Sequence, residues 1–311
     1  MKLIKLENSK KATTLFLLLL VQVGLGELRF INGKNKTMFK GKTYIITGIA
    51  DKHSLAMYVA KEIIKNKGKV ICTGLGVSSF HKNLSERAQA FLNQSYQHFE
   101  DSVEAELGKD VETHILDVTL PESINDFCQK LKDKNQPVDG LLHAIAMDKT
   151  IRNKKVKPLL EVNFDEFCET MQVSAFSLVS LIANLKAFDL LNPGSSICSL
   201  SYIAAQKVTF HPYRNISIAK AALERITIEL ADELGRQNGT RVNCVRFSPY
   251  LGSKAGTATL NSSDVEFAGQ KSPLGNAHPQ DLAYEVAHLL RPDMRITGEI
   301  RHVDGGYNIM G

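Results

Sequence analysis

Short apolar runs recur along the chain from Thr43 onward, and the stretches between them carry apolar residues at helical spacing. The runs are "TYIIT" (43–47), "KVICT" (69–73), "ETHIL" (112–116), "GLLHA" (140–144), "SSICSL" (195–200), "RVNCV" (241–245) and "GEIRHV" (298–303). Each is bounded by turn residues or polar clusters and is separated from the next by enough chain for a crossover helix. That alternation predicts parallel strands covered on both faces. The pattern therefore predicts an α/β fold, a doubly wound seven-stranded parallel sheet, as a single domain over residues 38–311. No internal repeat, low-complexity linker or composition shift interrupts it. Sheets of this kind bind ligands beyond the carboxyl ends of their strands, near the switch in strand order. The chemistry is expected in the segments that follow each strand.

Composition fits this picture, with 43% hydrophobic and 23% charged residues. The formal charge of +5 is carried by Met1 to Thr37, which hold seven Lys and Arg residues against Glu7 and Glu27. A basic balance confined to a terminal segment gives no footprint for nucleic acid, and none is expected as a partner. The same segment, residues 1–37, has a lysine-rich start and an apolar run from Leu15 to Val23, then Gly24 and Gly26. It has the form of a signal peptide and is too short for a membrane span, so no span is expected. Met38, followed by "FKGKTYIITG", reads as the start of a cytosolic domain, which a misassigned start would explain, while export or membrane attachment stays open. Five cysteines without CxxC spacing predict buried free thiols, no metal site and a reducing, cytoplasmic setting.

Candidate chemistry follows the strands. After the first, Gly48 ends the run and Ser54, Leu55 and Ala56 open a helix, whose N-terminus suits an anion such as pyrophosphate. Ser54 has two readings, a hydroxyl donor to phosphate or a helix N-cap. The second strand ends in "TGLGVSSFHK", with no acid for ribose hydroxyls, so the residues do not choose between cofactors. Asp117 and Val118 after the third strand are candidates for an adenine edge, Asp117 also for a helix cap. Ala144, Ile145 and Ala146 after the fourth offer a small-residue floor for a nicotinamide ribose. After the fifth comes "YRNISIAK", with Tyr213 and Lys220 seven positions apart. At ~3.6 residues per turn an uninterrupted helix puts both on one face, where the ammonium favours the tyrosinate.

The segment "SLSYIAAQKVTFHPYRNISIAKAALE" resembles the short-chain dehydrogenase/reductase superfamily, and within it the divergent branch of bacterial enoyl-acyl-carrier-protein reductases. That branch carries a Tyr shortly before a Tyr-x6-Lys pair. Further matches are "TGIADKHSLA", "HAIA" from His143, "NPGSSICSLSY", "RVN" at Arg241 and "TGEIRHVDGGY", in order from Phe39 to Gly311. The resemblance implies a Rossmann fold and NADH or NADPH as cofactor, NADH being favoured. It implies hydride transfer to a 2-enoyl thioester on acyl carrier protein in fatty acid biosynthesis, by a homotetramer. Tyr213 matches the tyrosine that stabilises the enolate oxygen, Lys220 the lysine that binds the nicotinamide ribose, and Tyr202 an upstream tyrosine lining the acyl site. Tyr250 falls where main-chain groups meet the carboxamide.

The sequence departs from that pattern at several points. Tyr202 and Tyr213 are eleven positions apart, one more than the family usually has. After the sixth strand "RFSPYLGSKAG" replaces the family's Ser-Ala-Gly-Pro-Ile-Arg-Thr run: Pro249 is kept, Ser248 stands at the Gly and Gly252 at the Thr that touches the cofactor. "TATLNSSDVEF" (257–267) is polar and slightly acidic where apolar and basic residues are common, and Asp148 follows "HAIAM". "IRNKKVK" (151–157) reads as a charged loop, solvated or facing the carrier protein. Two alternatives stay open on these grounds: a related reductase for a more polar substrate, and a non-catalytic nucleotide-binding paralogue.

Overall fold

The computed structural model describes residues 37–310, so the apolar run of the amino-terminal extension lies outside the described residues. The first half runs β1 (Thr43–Ile46), α1 (Leu55–Lys65), β2 (Lys69–Gly74), α2 (Glu86–Leu107), β3 (Glu112–Ile115), α3 (Pro121–Asp133) and β4 (Val138–His143). A hairpin of β5 (Ile151–Arg152) and β6 (Lys155–Val156) leads to α4 (Phe164–Met171), a π-helical turn (Gln172–Phe176), α5 (Ser177–Ala187) and β7 (Leu191–Ser201). Then follow α6 (Asn215–Asn238), β8 (Arg241–Phe247), α7 (Lys254–Thr259), α8 (Ser262–Lys271), α9 (Pro279–Leu290) and β9 (Ile300–Val303).

Seven strands form one sheet in the order β3-β2-β1-β4-β7-β8-β9. All six pairings are parallel, so the doubly wound sheet predicted from the apolar runs is the observed one. The order reverses between β1 and β4, where Ile45 sits opposite Leu141. Successive side chains of a strand point to opposite faces. Tyr44, Ile46, Cys72, Leu142 and Val245 pack with α1 and α9 on one face, and Ile45, Ile71, Leu141, Ile197 and Val242 with α3, α5 and α6 on the other. The helices fit because their apolar stripes recur at helical spacing: Met57, Ala60 and Ile63 of α1 are all buried. A fully buried Ile or Met side chain contributes ~1.5–3 kcal/mol. This packing fixes where each strand ends and hence where the loops meet.

Two expectations change. The segment 151–157 is not an open loop: Ile151 pairs with Val156 and Arg152 with Lys155 across a turn in which Asn153 and Lys154 have φ of +51° and +63°. Two adjacent left-handed residues make the turn that matches strand twist, which an asparagine tolerates. Cys168 is exposed, whereas the other four cysteines are buried, because α4 turns its Cys168 side outward. No helix among the described residues is long and apolar enough to cross a membrane.

Candidate active site

The turns after β1 and β4 are locked together at the switch in strand order. Gly48 has φ of +80°, and a Cβ there would stand 2.2 Å from the Ala144 carbonyl oxygen, so only glycine lets the two segments touch. Thr47 Oγ1 donates to the Leu142 carbonyl at 3.0 Å and accepts from the Ala144 N–H at 3.1 Å. Ser54 stands at the N-cap position of α1, but its hydroxyl serves the turn before the helix. Its hydroxyl accepts from the Ala50 and Asp51 N–H groups at 3.0 and 3.1 Å and donates to Asp51 Oδ1 at 3.3 Å, leaving no proton to offer a phosphate. It makes no side-chain cap bond to α1. The N–H groups of Leu55 and Ala56 at the start of α1 have no hydrogen-bond partner among the described residues. Free amides at the positive end of a helix dipole, over a turn closed tightly at Gly48, fit a dinucleotide's pyrophosphate.

Asp117 lies beyond β3 with both oxygens engaged. Oδ1 accepts from the N–H and hydroxyl of Thr119 at 2.9 and 2.6 Å, and Oδ2 meets His81 Nε2 at 3.1 Å. Val118 is buried beside it. The sequence showed no acid after β2, but His81 from that segment reaches Asp117 and bridges the two strand ends. Ala144 and Ile145 are partly buried and Ala146 exposed, in the segment whose Ile145 carbonyl faces Lys220. Tyr250, after β8, packs on the core of the first face. Burial and the nearby Tyr58 phenol raise its hydroxyl above the ordinary tyrosine range. Its side chain folds back over Gly252, where a Cβ would come within 2.1 Å of the Tyr250 hydroxyl.

The largest correction concerns the helix expected to carry both Tyr213 and Lys220. α6 begins at Asn215, because Arg214 takes φ 51° and ψ −108° and breaks the helical path just after Tyr213. The seven-position spacing thus does not set the two side chains on one helical face. Nor does the ammonium favour tyrosinate. Burial, then the charge of Asp264, push the Tyr213 hydroxyl above its ordinary range. Tyr202 is likewise raised, by burial first and by Tyr213 next. The two rings pack at 5.1 Å with a 58° tilt just beyond β7. Both phenols are therefore hydrogen-bond donors at neutral pH.

Lys220 faces the switch point instead. Its Nζ donates to the Leu200 carbonyl at 2.8 Å and lies 3.5 Å from the Ile145 carbonyl, spanning the ends of β7 and β4. Burial pushes its pKa down from 10.5 to about 8, against the opposing influence of Cys244 and Glu224. In the unfolded chain the lysine holds its proton up to 10.5, so between about 8 and 10.5 that chain binds more protons than the folded one. The penalty on the folded state is full below that window and is relieved as pH rises through it. We expect the stability of the wild type relative to Lys220→Met to rise across this interval in urea titrations; parallel curves for the two proteins would remove the shift.

Several neighbours were missed in the sequence. His143 at the end of β4 is fully buried, its Nε2 2.8 Å from Ser177 Oγ, which itself donates to the Val173 carbonyl at 2.7 Å. Since that hydroxyl proton is committed, Nε2 carries the imidazole proton, and burial drives the pKa down to about 3. Ser174 in the π-helical turn bonds the N–H and carbonyl of Met147, both at 2.9 Å, holding the segment after β4. Single-turn π bulges cluster at functional sites and have no sequence signature of their own. Glu224 and Arg246 form a buried ion pair, with Nε and Nη2 of Arg246 at 2.7 and 2.6 Å from the carboxylate. Ser201 donates to the same carboxylate at 2.6 Å, and Arg246 reaches Gln206 and His302. Lys207, in the loop between the tyrosines, donates to the carbonyls of Asn308 and Met310 at 2.8 and 2.7 Å.

Asp148 has one oxygen engaged, while Oδ2 is buried without a hydrogen-bond partner among the described residues. Its Oδ1 accepts from the Thr150 N–H and hydroxyl at 2.8 and 2.6 Å, with Thr170 Oγ1 at 3.3 Å.

Comparison with known proteins places these features in context. A family model described as enoyl-(acyl carrier protein) reductase matches residues 48–308. Among curated proteins, the chain is 31% identical to the enoyl-[acyl-carrier-protein] reductase [NADH] FabI of Rickettsia bellii, over 88% of this chain and 96% of that one. It is 28% identical to the Bacillus cereus protein of the same name, over 88% and 99% of the two chains. Among solved structures, the FabI-NADH complex from Alistipes finegoldii superposes with a TM-score of 0.75 at 26% identity, covering 88% of this chain and 90% of that one. The Aquifex aeolicus enoyl-[acyl-carrier-protein] reductase (NADH) gives 0.74 at 26% identity, covering 88% and 99%.

Proposed function

The chain belongs to the enoyl-(acyl carrier protein) reductase family, and on that premise we propose that it reduces the double bond of a 2-enoyl thioester carried on acyl carrier protein, in fatty acid biosynthesis. NADH, when bound, supplies the hydride that reaches the β carbon of the enoyl group. The residues that would hold it are the amides of Leu55 and Ala56 over the turn shaped by Gly48 and Ser54, with Asp117 and Val118 at the adenine end. Ala144, Ile145 and Ala146 would line the nicotinamide ribose, Lys220 would donate to its hydroxyls, and the main chain at Tyr250 would meet the carboxamide.

Tyr213 donates its hydroxyl to the thioester oxygen, which gains negative charge as the enolate forms. A fixed donor aimed at developing charge stabilises the transition state more than the neutral carbonyl. The observation that carries this reading is the packed pair of protonated phenols, Tyr202 and Tyr213, just beyond the Leu200 carbonyl that holds Lys220. Their raised pKa values suit donors, which must keep their protons at neutral pH. Tyr202 borders the acyl group. Of the acids that fitted an acyl site poorly, Asp264 is held by His211 and the Asn261 N–H, while Asp148 is held through Oδ1 alone.

On the same reading residues 38–311 are the reductase domain and residues 1–37 an extension outside it. The protein acts in the cytoplasm as a homotetramer. Exposed Phe164, Phe176, Ile218 and Ile228, on the adjoining α4, π turn and α6, support the assembly by offering apolar surface to another copy. The deciding experiment follows cofactor oxidation with crotonyl and longer enoyl thioesters, using NADH and NADPH in turn. Consumption of NADH that depends on the enoyl thioester is expected; no consumption with any of them would overturn the assignment.

A further inference from the structure

The segment between the two tyrosines carries one residue more than the family pattern, and His211 lies within it. His211 Nδ1 is 3.3 Å from Asp264 Oδ2 on α8, and only 11% and 12% of the two side chains are exposed. Asp264 Oδ2 also accepts the Asn261 N–H at 2.8 Å, so the carboxylate is held at the start of α8. The neighbouring Phe210 stacks on Phe267 of the same helix at 4.2 Å, a second fastening of the segment. Thr209 Oγ1 donates to the His211 carbonyl at 2.6 Å, which fixes the backbone behind the ring. Two departures from the family pattern, the longer segment and the acidic helix, thus meet in one contact.

The contact bears on Tyr213. Because α6 starts after Arg214, no helix holds the Tyr213 ring, and its orientation is set by its neighbours. His211 packs edge-to-face against it at 5.1 Å and 80°, while Tyr202 packs on it at 5.1 Å and 58°. Aromatic pairs at such separations prefer these tilted geometries. A donor displaced by about 1 Å loses about a hundredfold in rate, so a wall that fixes the phenol matters to catalysis.

We propose that His211, oriented by Asp264, is a positioning residue for Tyr213, taking over the placement that the helix start does not provide. The proposal rests on Tyr213 being the enolate donor. Its test is single-turnover hydride transfer, with NADH affinity from fluorescence titration, in His211→Ala, Tyr213→Phe, the double variant, Asp264→Asn and His211→Asn. His211→Ala is expected to slow transfer about tenfold to hundredfold with NADH affinity and the cooperative urea transition retained. Asp264→Asn should show a smaller loss of the same kind, and His211→Asn, which keeps a donor near the Nδ1 position, should regain most of the rate. In the Tyr213→Phe background the His211→Ala loss should disappear, because no hydroxyl remains to be placed. An equal loss in both backgrounds, or no loss in either, would overturn the positioning role while leaving Tyr213 as donor. A full rate in Tyr213→Phe alone would remove the donor assignment itself, and this proposal with it.

Discussion

Tyr213→Phe is expected to slow hydride transfer to the enoyl thioester by roughly a hundredfold to thousandfold, the loss of about 2.7 to 4 kcal/mol that follows removal of one oxyanion donor. The ring, its packing against Tyr202 and His211, and the start of α6 all stay in place, so NADH affinity should barely change. Tyr202→Phe is the necessary control. Tyr202 packs directly on Tyr213, and both hydroxyls keep their protons. A large loss in Tyr202→Phe alone would transfer the donor role to Tyr202. Near-normal rates in both variants would leave the enolate without a protein hydroxyl.

Arg246→Ser is expected to destabilise this protein by ~3–5 kcal/mol, because it strands the Glu224 carboxylate in the interior. Both partners are 9% exposed, and the guanidinium makes two bonds to that carboxylate, of 2.7 and 2.6 Å. Ser201 alone would remain as donor, and a single neutral hydroxyl does not offset the desolvation of a charge. Arg246→Met with Glu224→Leu should recover most of the loss, since removing both charges removes the penalty. Urea titrations decide it. A single variant within about 1 kcal/mol of wild type would show that water reaches Glu224 freely.

The sheet was legible in the sequence because buried parallel strands leave continuous apolar runs, as at "TYII" and "RVNCV", and their ends are marked by residues such as Gly48. The hairpin at 151–156 was not, since two-residue strands carry too few positions for a period to show. Residue types at the site were also readable: Lys220 and Tyr213 stand where the motif puts them. Their geometry was not. A helical spacing assumes an unbroken helix, and Arg214 breaks it through its backbone angles alone, with no proline or glycine to announce the change. The partners of Asp264 and Glu224 were equally hidden, because each contact joins segments far apart in sequence. For the same reason the contact of Asp264 with His211 shows only in the fold.

The hydrogen bonds from Lys207 to Asn308 and Met310 cross 101 and 103 positions of chain and reach the last described residues. β9, which immediately precedes those residues, is an edge strand and pairs with β8 alone. Loss of residues 308–310 would leave the pairing of β3 to β8 untouched and free the Lys207 ammonium. Damage there is therefore expected to reach the segment that bears both tyrosines before it reaches the sheet.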